Sequence, residues 1–282
     1  MPQAPKVNPK TTIIASTLAT WIVLGVASPW QKIATDYSSS VGIVLIAWGW
    51  LCFLAVAIAV LVPSPISLTV TKCITPLAVV CAFVATSPVG IFGAVATFIV
   101  SWSALFADVM VQGSAYGDET RFALRTPVPY WAPTALAWAL LAGSLLSGTL
   151  LIAASNYFVS APLLAVGLFL ARTVPRRLHR LSRRWLVIVP SGVVVHDHLV
   201  LAETMMSMRS KILSIAKVDV AGESADFTGG IAGPRIAVHL KESDKVVLSN
   251  ITAKTLGTTN ALHVKSFCFA PRRLDVALSA IR

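Results

Sequence analysis

From Val41 to Val62 the chain reads VGIVLIAWGWLCFLAVAIAVLV, 22 residues without one charged side chain. A helix crossing the hydrocarbon of a bilayer needs about 20 mostly apolar residues, so a run of this length is a membrane span before it is anything else. It does not stand alone. Hydrophobic residues make up 56% of the chain and charged ones 12%, about half the charged share of a soluble domain, so lipid must solvate much of the molecule.

Other charge-free runs set the remaining spans. Thr11–Ser28 follows Lys6 and Lys10, a pattern shared with secretory signal peptides. Pro29 directly after the apolar run is a poor context for cleavage, so the segment is read as a retained span. The stretch from Cys73 to Ala107 is too long for one helix, and Ser87, Pro88 and Gly90 supply a turn signal in its middle. A hairpin over about 71–86 and 91–111 follows, its first arm short enough for a re-entrant segment. Two more runs, 132–155 and 157–171, break around Ser155 and Asn156. The expected set is therefore six spans over 11–28, 41–62, 71–86, 91–111, 132–155 and 157–171, with five as the main competitor.

Charge then orients the bundle. With six spans, Lys6, Lys10, Lys72, Arg121, Arg125 and the arginines after Ala171 fall on one side, and Lys32 alone on the other. Lys and Arg gather in cytoplasmic loops, which puts both termini in the cytoplasm of a multi-pass protein of the cell membrane.

The spans carry no ionisable residue at their centres, where ion-coupled transporters keep them. Asp108 is expected at a solvated helix end and Asp36 in an outer loop. Two stripes of small residues recur every fourth position: Ala135, Ala139, Gly143 and Ser147, and Gly93, Thr97 and Ser101. Both are expected to pack within the bundle. Trp30 and Trp131 sit where interfacial anchors sit, and Trp48, Trp50, Trp102 and Trp138 lie deeper, as packing residues do.

After residue 170 the chain changes character: residues 1–170 hold six Lys or Arg against four Asp or Glu, the remainder seventeen against eight. Residues 1–172 read as the transmembrane domain, 173–184 as a basic amphipathic juxtamembrane helix, and 185–282 as a β-rich cytoplasmic domain. In the helix Arg176, Arg177, Arg180, Arg183 and Arg184 share one face, with Leu178, Leu181 and Trp185 opposite and Pro175 in the first turn. Each such cation near an anionic leaflet contributes about 1 kcal/mol of attraction, so these five are the expected contacts for anionic phospholipids.

Beyond them WLVIVP, the turn Ser191–Gly192 and VVVHDH read as a hairpin. MMSMRSKILSIAKVDV, RIAVHLKESDKVVLS with a turn at Glu242–Asp244, and ALHVKSFCFA follow as strands, and RRLDVALSAIR as a closing helix. The fold class is an α-helical membrane bundle of about six helices followed by a small mostly-β domain with a C-terminal helix. On this pattern, residues 185–282 resemble the bacterial pleckstrin-homology-like domains attached to membrane spans. The whole is similar to multi-spanning membrane proteins of actinobacteria in which such a strand–turn–strand follows the last span. The resemblance implies a small barrel used for protein or lipid contact, with no catalytic residues to carry over.

Signals for chemistry are sparse. His196 and His198 flank Asp197 and would share a strand face, without a third metal ligand at recognisable spacing. DFTGGIAGP, Asp226–Pro234, leads into a strand rather than a helix, so it reads as a loop and not a phosphate cradle. Cys52, Cys73, Cys81 and Cys268 form no close pair, and no nucleophile elbow, HExxH or acidic magnesium cluster occurs. The expectation is a noncatalytic protein without cofactor or metal, with the membrane and anionic phospholipids as partners, room for a protein partner on the β domain, and no nucleic acid. The alternatives are a transporter or channel with an uncharged path, and an enzyme acting on lipids, for which Asp108, Asp118, Glu119 and Arg121 mark the place to look.

Overall fold

The computed structural model of the chain describes residues 8–255, 257–259 and 261–281. It divides into two units, one of the residues up to Met110 with Ala135–Arg176, the other of Val111–Thr134 with Arg177 onward.

In the first unit, capped prolines open the helices. Pro9, Pro29, Pro65 and Pro88 each occupy a first helical turn, where a missing N–H costs nothing. Asn8, Ser64 and Ser87 accept from Lys10, Ser67 and Gly90 backbone N–H groups at 3.0, 3.0 and 3.2 Å. The helices are α1 (Pro9–Ala27), α2 (Pro29–Ala34), α3 (Ser39–Leu61), α4 (Pro65–Val84), α5 (Pro88–Trp102) and α6 (Ala104–Gln112). After the segment carrying β1 (Thr120–Ala123) come α7 (Trp131–Ala153) and α8 (Tyr157–Ser182). Among the described residues, five helices are long and apolar enough to cross a membrane, six if the bent pair α5 and α6 counts as one span.

Several expectations change. α4 begins at Pro65 rather than 71, so its 20 residues extend about 30 Å, enough to span, and Lys72 lies inside it with its ammonium 5.7 Å over the Trp102 ring. The stretch expected as one helix over 91–111 is instead bent by 66°. Ser103 leaves the helical region at ψ 156° and its hydroxyl caps α6 by accepting from the Phe106 N–H at 3.1 Å. Asp108 on α6 is buried, not solvated. Trp30 is no interfacial anchor either: it is buried, 5.2 Å from the Trp50 ring, over Gly49, where any Cβ would meet the indole at 2.2 Å. Trp131, 57% exposed at the start of α7, remains where an anchor belongs.

The two small-residue stripes part ways. Gly93, Thr97 and Ser101 are buried, and a Cβ on Gly93 would stand 2.7 Å from the Leu24 nitrogen. That close approach lets the Thr97 hydroxyl donate to Thr20 Oγ1 at 2.8 Å, joining α5 to α1. Ala135, Ala139, Gly143 and Ser147 are all exposed, and nothing lies within 4 Å of a Cβ on Gly143. α7 packs on α8 through other positions: Gly148 lies under Leu164, and Gly167 under Leu145.

The second unit is built from β1, β2 (Arg184–Val189), β3 (Gly192–Asp197), β4 (Met205–Met208), β5 (Ile212–Val218), β6 (Ala225–Asp226), β7 (Arg235–Val247), α9 (Asn250–Thr255), β8 (Ala261–Phe269) and α10 (Leu274–Ile281). One sheet runs β1-β2-β3-β4, antiparallel throughout; the other runs β5-β7-β8-β6, with β6 parallel to β8. Their inner faces share one apolar cluster, with Leu186, Ile188, Val193 and Val195 from the first sheet and Ile236, Val238, Phe267 and Phe269 from the second. α10 closes it with Ala277, Leu278 and Ile281, while Val276 on its other side is 40% exposed.

Two local readings are corrected. β7 does not turn at Glu242–Asp244: its two halves pair with the same strand β8, and a bulge between His239 and Asp244 takes up the exposed residues. The first sheet also begins outside 185–282, because β1 comes from the segment between α6 and α7 and pairs Phe122 with Leu186. Gln112 sets that segment, its amide donating to the Glu119 carbonyl at 2.9 Å and accepting from the Arg121 N–H at 2.7 Å.

Candidate anion-binding site

The five arginines expected to meet anionic lipid separate into four and one. α8 continues without a break from the last span to Ser182, with Pro175 inside it rather than in the first turn of a new helix. Val174 and Leu178, one turn apart on either side of that proline, are buried. Arg176, Arg177, Arg180 and Arg183 are exposed along its end.

Arg184 is not a surface residue. It begins β2, its side chain is 1% exposed, and it sits directly opposite Asp197 across the β2–β3 pair on the core side of the sheet. Its Nε and Nη2 donate to the two Asp197 carboxylate oxygens at 2.8 and 2.7 Å, and Nη1 donates to the Arg125 carbonyl at 2.7 Å. A guanidinium buried and held in a bidentate pair is out of reach of lipid. The helical periodicity that put Arg184 with its neighbours stops at Ser182, where the period changes from 3.6 to 2.

On the opposite face of the same sheet the histidines come together as expected. His196 pairs across the strands with Trp185, rings 4.6 Å apart and nearly parallel, while Arg121 lies 5.3 Å over the indole. His198 stands edge-on to His196 at 4.4 Å, and His196 Nδ1 hydrogen bonds with Thr204 Oγ1 at 3.0 Å. Burial pushes His196 down to about 4, with His198 and Arg183 adding to the shift, so the ring is neutral at physiological pH in a positive surrounding. Among the described residues no group of three His, Cys, Asp or Glu side chains gathers as a metal site would require.

The glycine-bearing loop after β6 holds arginines, not a phosphate. Asp226 accepts from the Thr228 N–H at 2.8 Å and pairs with Arg235 at 3.1 Å, and Arg235 donates to the Ile231 carbonyl at 2.7 Å. Arg125 donates to the Pro234 carbonyl, and Arg184 Nη2 to that of Thr228 at 3.4 Å. Loop carbonyls point at guanidinium groups, the reverse of an anion nest. The Cys268 thiol donates to Asp226 Oδ1 at 3.7 Å, and burial, then the Asp226 charge, pushes it up to about 11, so it is an inert structural thiol.

The residues kept for lipid chemistry do not form an acidic centre. Glu119 and Arg121 pair with each other at 2.5 Å, and Glu119 also accepts from the Tyr116 N–H at 2.5 Å, so these groups shape the turn before β1; Asp118 is exposed beside them.

What the sequence did not disclose is a cleft of about 450 Å³ lined by Arg180, Arg183, His198, Leu201, Ala202, Ser249 and Asn250. It joins the end of α8 to the segments after β3 and β7, about 70 residues along the chain from Arg180 to Asn250. No spacing rule links residues so far apart; the pairing of β2 with β3 and the bridge of Leu201 to Leu248 bring them together. No family model, curated protein or solved structure matches the chain.

Proposed function

We propose that this chain is a noncatalytic multi-pass membrane protein whose β unit works at the anionic cytoplasmic surface of the cell membrane, in a scaffolding or regulatory role. The observation that carries the reading is the row Arg176, Arg177, Arg180 and Arg183, exposed on and just beyond the end of a helix that is continuous with the last span. Cations fixed at a span's end are within reach of headgroups, and four contribute about 4 kcal/mol of attraction to an anionic leaflet at ordinary salt. The cluster of Arg172, Arg176, Arg177, Arg180, Arg183 and Arg184 directly after the last apolar run favours the cytoplasmic side for this unit. The pattern-level resemblance of residues 185–282 to pleckstrin-homology-like domains is the ground for proposing protein or lipid contact as the use of the β unit.

The test uses the full chain purified with mixed anionic and neutral lipid, counting retained anionic lipids by native mass spectrometry. Enrichment of anionic lipid that fades with salt and is lost when the four arginines become glutamine is expected. Equal retention by that variant would overturn the reading.

A transport role draws support from one feature, the 66° break between α5 and α6 with Asp108 buried beyond it, since discontinuous helices recur at transporter sites. Solute or proton flux in proteoliposomes that disappears in Asp108→Asn would favour it.

A further inference from the structure

The cleft beside the arginine row has the composition of an anion site. Arg180, in the last turn of α8, and Arg183, just beyond its end, present guanidinium groups that make no hydrogen bond or ion pair among the described residues. The lining residues include no carboxylate, and the nearest one in sequence to His198, Asp197, is held by Arg184 on the core side of β3. His198 is steadied by the stack of His196 on Trp185.

The other wall is fixed by backbone. The Ser249 N–H donates to the Val200 carbonyl at 2.9 Å, the Ser249 hydroxyl to the Leu199 carbonyl at 2.7 Å, and the Ala202 N–H to the Val247 carbonyl at 2.9 Å. Two planar forks and an imidazole around one opening offer more donors than a carboxylate can accept. They suit a tetrahedral oxyanion, for which arginine forks are the preferred partners. At about 450 Å³ the cleft also falls in the size range of small-molecule sites, with Leu201 and Ala202 as its less polar part.

We propose that this cleft binds a phosphate group carried on a small polar body, as a glycerophosphate is, between Arg180, Arg183 and His198. The phosphate comes either from a lipid headgroup or from a soluble phosphoester; the recognition chemistry is the same. The proposal rests on the arginine row being an anion contact and narrows it from charge to shape: Arg180 and Arg183 select, whereas Arg176 and Arg177 only attract.

The test again takes the full chain, in neutral nanodiscs. Inorganic phosphate and glycerol 3-phosphate are titrated calorimetrically, and phosphatidic acid and phosphatidylglycerol are added to the discs and retained lipid counted. Saturable binding of glycerol 3-phosphate, or retention of phosphatidic acid over phosphatidylglycerol, is expected; the first marks a soluble source and the second a lipid. Either is expected to weaken at least tenfold in Arg180→Lys with Arg183→Lys, which keeps the charge and removes the forks. The same loss is expected in Ala202→Glu, which puts a carboxylate into the opening at an exposed position. Arg176→Gln with Arg177→Gln should lower retention of both lipids together without changing the preference for phosphatidic acid.

Equal binding by the lysine and glutamate variants, or no saturable binding of any probe, overturns the cleft. If salt-sensitive retention of anionic lipid persists in that case, the membrane reading survives its failure. Conversely, glycerol 3-phosphate binding without anionic-lipid retention upholds the cleft and removes the membrane reading.

Discussion

Replacing Arg184 by methionine should destabilise the β unit far more than the same change one residue earlier. Arg184 makes two charge-assisted bonds to Asp197 at 2.8 and 2.7 Å and a third, at 2.7 Å, to the Arg125 carbonyl, all with its side chain 1% exposed. Asp197 would be left with only the Leu199 N–H, which donates to it at 3.1 Å. Removing one partner of such a pair strands a buried charge and typically costs about 3–5 kcal/mol. At about 1.4 kcal/mol per factor of ten, exchange of the β2 and β3 amides through opening should accelerate by roughly two to three and a half orders of magnitude. Hydrogen–deuterium exchange of the full chain in micelles reads this peptide by peptide. Arg183→Met, whose guanidinium is exposed, should change exchange less than tenfold. The double variant Arg184→Met with Asp197→Leu should recover much of the loss, because two apolar groups need no partner. Equal effects of the Arg183 and Arg184 changes, or no recovery in the double variant, would refute the assignment of Arg184 as a core tie.

Three further outcomes are expected. His196 has a folded value of about 4, below the ordinary 6.5, so the unfolded chain binds the extra proton between those values. Its contribution to stability is full above about pH 6.5 and is lost as pH falls toward 4, and His196→Phe should flatten the acid limb of a stability–pH curve. Gly93→Leu would force a Cβ within 2.7 Å of the Leu24 backbone and should destabilise the helix bundle by about 1–3 kcal/mol in detergent unfolding, while Gly143→Leu, with nothing within 4 Å, should be neutral. Phe122→Ala, in a short strand between two spans, should cost about 3–5 kcal/mol and expose β2 amides to exchange, because Phe122 is 5% exposed in the core between the sheets.

Much of the architecture was legible along the chain. Helix positions in the apolar part follow from uncharged runs punctuated by Ser-Pro and Asn-Pro pairs, since length in lipid and the geometry of a first turn are local matters. The hairpin of β2 and β3 and the closing helix α10 likewise follow from alternation and periodicity. The meeting of His196 with His198 was a consequence of strand pleating alone.

Local pattern could not say which faces meet. Two stripes of small residues look alike in sequence, yet only the one through Gly93 is buried, because packing depends on which helix lies opposite. Five arginines share a helical spacing, yet the chain changes period between Ser182 and Arg184, turning the last of them into the core toward Asp197. The membrane setting and the order of helices and strands were determined by the sequence itself, through the length and period of its apolar runs. The membership of β1 in the first sheet, the burial of Asp108 and the cleft from Arg180 to Asn250 were decided only by tertiary structure, because each depends on contacts between segments that no local periodicity connects.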